Sequence, residues 1–328
     1  MQPNWKRRQV LAHALAGIVA TGAGPSFAQP GYPNRPIKLI VGFPPGGITD
    51  ILFRGVAVEA SKFLGQPIVI ENKAGAAGVP AYVALKQAAP DGYTIGGVNV
   101  ALWRQPVLED VPYDPRRDFT YILNIAEVVF AVVVAGNSPF KTWSDLLAFG
   151  RANPQKVSFG ASPGLRQSAH VFMLEVMRRE KLDWQPVGYP GGMRAINDVL
   201  GGHLTFTVDP VASATPLARA GQLRLLAVTT ERRLKSWPEV PTMKELGYPL
   251  TIDSPIGIGG PAGLPDPVVK ALHDAFKFAI EQPSVLALFE KLDQSPRYMG
   301  TAELNRYVAR SEVEQKELLT HYGFARKP

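Results

Sequence analysis

The sequence contains no cysteine. That absence excludes a disulfide scaffold, a thiolate metal site, a cysteine nucleophile and a lipid anchor on an N-terminal Cys. Histidine is scarce: His13, His170, His203, His273 and His321 are all there are. None pairs with another at helical i, i+4 spacing and no H-E-x-x-H occurs, so no metal site is expected. No G-x-x-x-x-G-K-[ST] is present, which removes P-loop phosphate binding. Charged residues make up only 19 % of the chain and hydrophobic ones 46 %. Such a chain of 328 residues buries a core and is not disordered. What it has in surplus is turn formers, 31 Gly and 30 Pro, which point to many short connections.

The formal net charge of +7 arises from 35 basic and 28 acidic side chains. Part of it is local. Lys6, Arg7 and Arg8 precede an apolar, Ala/Gly-rich stretch from Val10 to about Ala23, and Ser26-Phe27-Ala28 follows with small residues where a signal peptidase cuts. This order predicts a cleavable export signal over residues 1–28 and a periplasmic location. The stretch is too short for a membrane span, which takes roughly 20 apolar residues. Arg7-Arg8 resembles a twin-arginine signal, so the route, Sec or twin-arginine, stays open. The segment holds three basic and no acidic residues, leaving +4 for the remainder. The other basic residues are scattered, with no aromatic-interleaved stripe, so nucleic acid is not an expected partner.

From Ile37 onward, apolar strand-like runs alternate with helical patterns. Strands are predicted at Ile37–Val41, Ile68–Ile70, Thr94–Val98, Val128–Val134, Val157–Gly160, Gln185–Tyr189, Thr205–Asp209, Leu223–Thr229 and Ser254–Gly259. Helices are predicted from Thr49 or Asp50, as cap, to Leu64, where Gly65 stops the first, and at Val79–Ala88, Thr142–Ala152, Ser168–Glu180, Met193–Leu200 and around Ser213–Ala220. After Asp266 the reading is helical throughout. This alternation predicts an α/β fold with parallel sheets. Two units of about 100 residues emerge. Lobe 1 comprises 29–130 and 254–328, and lobe 2 comprises 131–253, with the chain crossing near Val128–Val134 and again near Ile252–Gly259. A cleft between lobes is where small ligands commonly bind.

Three loops share a strand, Gly-rich turn and helix-start design: Gly42–Asp50, Gly160–Ser168 and Tyr189–Gly192. Helix N-termini present free N–H groups and glycine admits close backbone approach, which together favour a small anion such as a carboxylate. Two motifs point elsewhere and fit poorly. Gly257, Gly259 and Ala262 match G-x-G-x-x-A, but Pro261 and Pro265 stand where the helix should begin. Gly160-Ala161-Ser162-Pro163-Gly164 matches a hydrolase nucleophile elbow, with Asp209 and His273 following in order. The elbow needs the N–H after the serine for its oxyanion hole, and Pro163 has none. A Ser162 hydrolase is thus the weaker alternative.

The ordered motifs carry a resemblance. They are Phe43-Pro44-Pro45-Gly46-Gly47-Ile48-Thr49-Asp50, Glu71-Asn72-Lys73-Ala74-Gly75-Ala76-Ala77-Gly78, Ala89-Pro90-Asp91-Gly92-Tyr93-Thr94, Val111-Pro112-Tyr113-Asp114-Pro115, Asp198-Val199-Leu200-Gly201-Gly202, Arg219-Ala220-Gly221-Gln222-Leu223-Arg224 and Pro238-Glu239-Val240-Pro241-Thr242. In this order the chain resembles the Bug/TctC family of periplasmic solute-binding proteins of tripartite tricarboxylate transporters. The resemblance implies a two-lobe, type II periplasmic-binding-protein (Venus-flytrap) fold, no catalysis and no cofactor. It implies a small carboxylated solute (amino acid, di- or tricarboxylate, or aromatic carboxylate) bound by hinged closure. The partners would be membrane permease subunits, or alternatively a sensor kinase, and the receptor itself a monomer.

Carried over by position, Phe43, Gly46, Gly47, Asp50, Ala76, Ala77, Gly78 and Asn99 would bind from one lobe. Ser162, Arg166, Gln167, Tyr189 and Asp209 would bind from the other. Phe43, Trp103 and Tyr189 could line a pocket for a flat acid, although core packing suits Trp103 better. The chain departs from the family at Gly164-Leu165-Arg166-Gln167, where members often read Gly-x-Gly-Ser/Thr. Arg166 in place of glycine could bind a carboxylate bidentately, or pair with a helix acid such as Glu175.

Overall fold

The computed structural model describes residues 31–326, so the export signal read at 1–28 lies outside the described residues. The first third runs β1 (Ile37–Val41), α1 (Ile48–Leu64), β2 (Ile68–Asn72), α2 (Val79–Lys86), β3 (Thr94–Asn99), α3 (Val100–Leu108) and β4 (Phe119–Glu127). The middle runs β5 (Phe130–Ala135), α4 (Trp143–Ala152), β6 (Ser158–Ala161), α5 (Ser168–Glu180), β7 (Gln185–Gly188), α6 (Gly192–Leu200), β8 (Phe206–Pro210), α7 (Val211–Arg219) and β9 (Leu223–Val228). The last part runs β10 (Pro255–Pro261), α8 (Asp266–Ile280), α9 (Pro283–Lys291), β11 (Ser295–Met299) and α10 (Thr301–His321).

Two sheets result. The first has the order β11-β4-β10-β3-β1-β2 and the second β7-β6-β8-β5-β9. The fold is α/β, as expected, but both sheets are mixed rather than parallel. β1, β2 and β3 run parallel, whereas β10 lies antiparallel between β3 and β4. In the second sheet β6, β7 and β8 are parallel, and β5 pairs antiparallel with both β8 and β9. β5 and β10, by which the chain leaves the first sheet and returns to it, follow no crossover helix, so right-handed βαβ geometry does not bind them; β11 also runs antiparallel to β4. From Pro33 onward the chain forms one compact unit.

β10 accounts for the dinucleotide-like glycines. Every residue of it is buried. A Cβ at Gly257 would sit 2.9 Å from the Leu123 carbonyl oxygen, and one at Gly259 would sit 2.9 Å from Val98 Cγ1. The glycines let a central strand be pressed between β3 and β4; they do not open a phosphate loop. Helix starts follow local chemistry. Thr142 and Asp145 form a reciprocal capping box at α4. α1 departs from expectation: it begins at Ile48 behind Gly47, with no side-chain cap, and Gly65 ends it in the left-handed conformation.

The core under the first sheet is aromatic. Trp103 is fully buried, edge-on to Tyr121 and Tyr307, and its indole N–H donates to Ser311 Oγ at 3.1 Å. It therefore fixes α3 to α10 and does not line a pocket.

Candidate functional site

The site forms where the two crossing segments meet. The Val128 N–H donates to the Ser254 carbonyl at 2.8 Å. Beside this pair lies a small cavity of about 40 Å³, room for a few waters at most. One wall carries Phe43, Thr49, Ala77, Asn99, Val100 and Ala101, and the facing wall carries Pro163, Gln167 and Ser168. Val128, Phe130 and Ser254–Ile256 line the seam.

Each wall is shaped by the loop design read from the sequence. In the first loop Asp50 is 2 % exposed. Its carboxylate accepts from the Gly46 N–H at 2.9 Å, Arg54 Nε at 2.9 Å and Asn72 Nδ2 at 2.8 Å. Burial opposes its charge, but the bonds from Arg54, Gly46 and Asn72 and the Arg54 charge outweigh it and hold the carboxyl below the usual range. Asp50 thus knits the loop and leaves Phe43 to face the cavity. Next to it the backbone is strained. Gly75, Ala76, Ala77 and Gly78 all have positive φ, of 115°, 41°, 52° and 93°. Two consecutive alanines in that region are uncommon and cost energy that the surrounding structure has to offset. The turn brings Ala77 to the cavity and presents main chain rather than side chain. Asn99 caps α3 through its Oδ1, which accepts from the Ala101 N–H at 2.9 Å.

On the facing wall, Gln167 is buried and its Nε2 donates across to Gln105 Oε1 at 3.2 Å. Arg166 has φ +63°, the left-handed backbone that the family glycine would supply. Its guanidinium pairs with Glu109 at 3.3 Å, both half-exposed, whereas Glu175 is taken by Arg178, Arg179 and Tyr322. Such an exposed pair contributes about 0–1 kcal/mol, and relief of the left-handed strain is worth roughly 1–2 kcal/mol. Arg166→Gly is therefore expected to melt within about 3 °C of the parent, measured by circular dichroism; a drop of 8 °C or more would show that the side chain braces the wall.

Four of the expected residues line the cavity: Phe43, Ala77, Asn99 and Gln167. Gly46, Gly47 and Asp50 shape the loop behind Phe43, Ala76 and Gly78 flank Ala77, Ser162 precedes Pro163, and Arg166 lies between Pro163 and Gln167 without lining the cavity. Tyr189 and Asp209 stand further back. Tyr189 packs against the core of the second sheet and gives its hydroxyl to Asp198 at 2.5 Å. Asp209 is fully buried and accepts from Thr207 Oγ1 at 2.6 Å. Gly192 allows this packing, because a Cβ there would lie 2.5 Å from Asp209 Oδ1. Sequence reasoning missed Thr49, Val100, Ala101, Pro163, Ser168 and the seam residues.

The hydrolase constellation does not assemble. His273 lies on α8 and bonds to Asp274 and Tyr298, while Ser162 is buried beside the second sheet. Among the described residues no helix is long and apolar enough to cross a membrane.

The family model "Tripartite tricarboxylate transporter family receptor" matches residues 52–324. The "UPF0065 protein in gbd 5′ region" of Cupriavidus necator is 37 % identical over 326 residues, covering 98 % of this chain and 99 % of that one. The periplasmic binding protein BugD superposes with a TM-score of 0.82 at 27 % identity, over 90 % of this chain and 100 % of BugD. An R. palustris protein holding adipate gives 0.83 at 27 %, covering 90 % and 99 %. MatC from Rhodopseudomonas palustris with bound malate gives 0.77 at 25 %, covering 88 % and 100 %. The family and these structural relatives are receptors, not enzymes, and the structures share the α/β architecture described above. The chain belongs to the tripartite tricarboxylate transporter receptor (TctC) family of periplasmic solute receptors.

Proposed function

We propose that the protein binds a small carboxylate in the cavity between its lobes by hinged closure and delivers it, as a freely diffusing monomer, to the membrane subunits of a tripartite tricarboxylate-type transporter. The observation that carries this reading is the make-up of the cavity. Its walls come from chain segments on the two sides of the seam, and hydrogen bonds such as Gln105–Gln167 cross from one to the other. A ligand that touches both walls favours the arrangement in which they meet, so binding shifts the population toward closure. The malate and adipate held by two structural relatives support a carboxylate. The two lobes in this reading are 29–130 with 254–328, and 131–253. The residues proposed to meet the ligand are those that line the cavity, with Arg166 a contact only if it leaves Glu109.

A thermal-shift screen of the exported form tests the reading. A ligand at a hundred times its Kd stabilises the folded state by about 2.7 kcal/mol. A rise of several degrees is expected with one or more of malate, adipate, citrate, glutamate and benzoate. No shift with any carboxylate, alongside a shift with a neutral solute, would refute it. Scattering with the responding ligand should show a smaller radius of gyration.

A further inference from the structure

From the α3 wall a positive charge that no acid balances reaches across to Ser168 on the facing wall. Arg104, on α3, follows the cavity-lining Val100 and Ala101 by one helical turn and is 2 % exposed. Its Nε donates to Gln315 Oε1 at 2.8 Å and its Nη1 to Ser168 Oγ at 3.0 Å. Both acceptors are neutral, and Arg104 enters no ion pair among the described residues. Burial pulls the guanidinium down to about 10, with only Tyr307 acting in the other direction, so it remains cationic at neutral pH. By contrast Arg297, also partly buried, has Glu127 and Asp253 beside it. A buried cation without a counter-ion is costly, and that cost falls when an anion arrives.

Ser168 gives this charge a route to the cavity. Its oxygen accepts from Arg104, its hydroxyl proton is free to donate, and Ser168 lines the cavity. The cavity lining includes no charged side chain. The opposite wall provides neutral main chain at Ala77 and the Asn99 cap of α3. We propose that Arg104, acting through Ser168 as a positioning residue, makes the cavity selective for doubly charged carboxylates: the Ser168 hydroxyl donates to the second carboxylate and the guanidinium bonded to it supplies the counter-charge. This rests on the carboxylate reading above and narrows it to dicarboxylates.

The test compares α,ω-dicarboxylates of four to eight carbons and malate with monocarboxylates of equal length, titrated into the parent, Arg104→Gln, Arg104→Lys and Ser168→Ala. The parent is expected to favour dicarboxylates at least tenfold. Arg104→Gln should lose about 10–100-fold for dicarboxylates, the worth of a charge-assisted bond, and less than threefold for monocarboxylates. Arg104→Lys should recover part of the preference, a pattern that a merely structural arginine would not produce. If Arg104→Gln does not fold, Ser168→Ala keeps the guanidinium and should show the same selective loss. A parent that binds monocarboxylates as well as dicarboxylates overturns the inference while sparing the carboxylate reading. So does a variant whose preference is unchanged. A parent that binds neither class overturns both.

Discussion

Trp103→Ala is expected to destabilise the protein by about 3–5 kcal/mol, the range for removing a fully buried Trp or Phe side chain. Trp103 has no exposed surface and meets Tyr121 and Tyr307 edge-on, with ring centroids 6.4 and 6.2 Å away. Truncation removes these contacts, leaves a void between α3 and α10, and strips Ser311 of its indole donor. The neighbours cannot collapse into the space easily, because Tyr121 gives its hydroxyl to the Pro115 carbonyl and Tyr307 gives its own to Asp253. The melting temperature should fall by on the order of 5–15 °C. Because α3 also carries Val100 and Ala101 to the cavity, carboxylate affinity should fall with it. Trp103→Phe should recover most of the stability but not the Ser311 bond. A Trp103→Ala protein melting within 2 °C of the parent would mean that α3 is held by something other than this core.

The same region marks the boundary of what is legible in the sequence. Strands and helices with clean punctuation are readable: Ile37–Val41 before a Gly-rich turn, a helix ended by Gly65, and Thr142 with Asp145 at the head of α4. α3 is not, because Pro106 inside it and Arg104 on its buried side break the apolar period that identifies a helix. β4 is not, since Phe119–Glu127 is buried on both faces and shows no alternation. β11 is an edge strand of five residues containing Pro296, which reads as a break between helices. The antiparallel sense of β10 depends on where a distant segment returns, and no local pattern encodes it.

The site divides in the same way. Phe43, Ala77, Asn99 and Gln167 lie on loops whose turn chemistry is local. Val128, Phe130 and Ser254–Ile256 come together only because two crossing segments pair, through the Val128 N–H and the Ser254 carbonyl. A signal for them exists. Both segments read as crossings, and the seam of a two-lobe cleft is built from its crossings. Arg104 carries no such signal, because its meaning depends on a serine 64 positions away.

Asp209→Asn should abolish a loss of stability that the parent suffers between about pH 4 and 7. Asp209 is fully buried, and burial pushes its carboxyl up to about 7, with the hydroxyls of Thr207 and Ser162 only partly offsetting it. In the unfolded chain the same group titrates near 3.9. Below that value both states hold the proton and the aspartate costs nothing extra. As pH rises toward 7 the unfolded chain gives up its proton while the folded protein keeps it, so the unfolded state gains and stability declines. Above about 7 both are ionised and the deficit stays constant. Three pH units correspond to roughly 4 kcal/mol, of which the ligand-free protein should show a substantial part. The substituted amide would be neutral throughout, would occupy nearly the same volume, and would still accept the Thr207 hydroxyl in place of the carboxylate. The variant should therefore match the parent at pH 4 and melt several degrees above it at pH 8. Equal melting temperatures at pH 8, with the parent's decline intact in the variant, would assign that decline to other groups. Asp209 would then be a carboxylate that the fold accommodates ionised. The orphaned Oδ1 beside Gly192 argues against that, since a buried anion with one oxygen unpartnered is what protonation relieves.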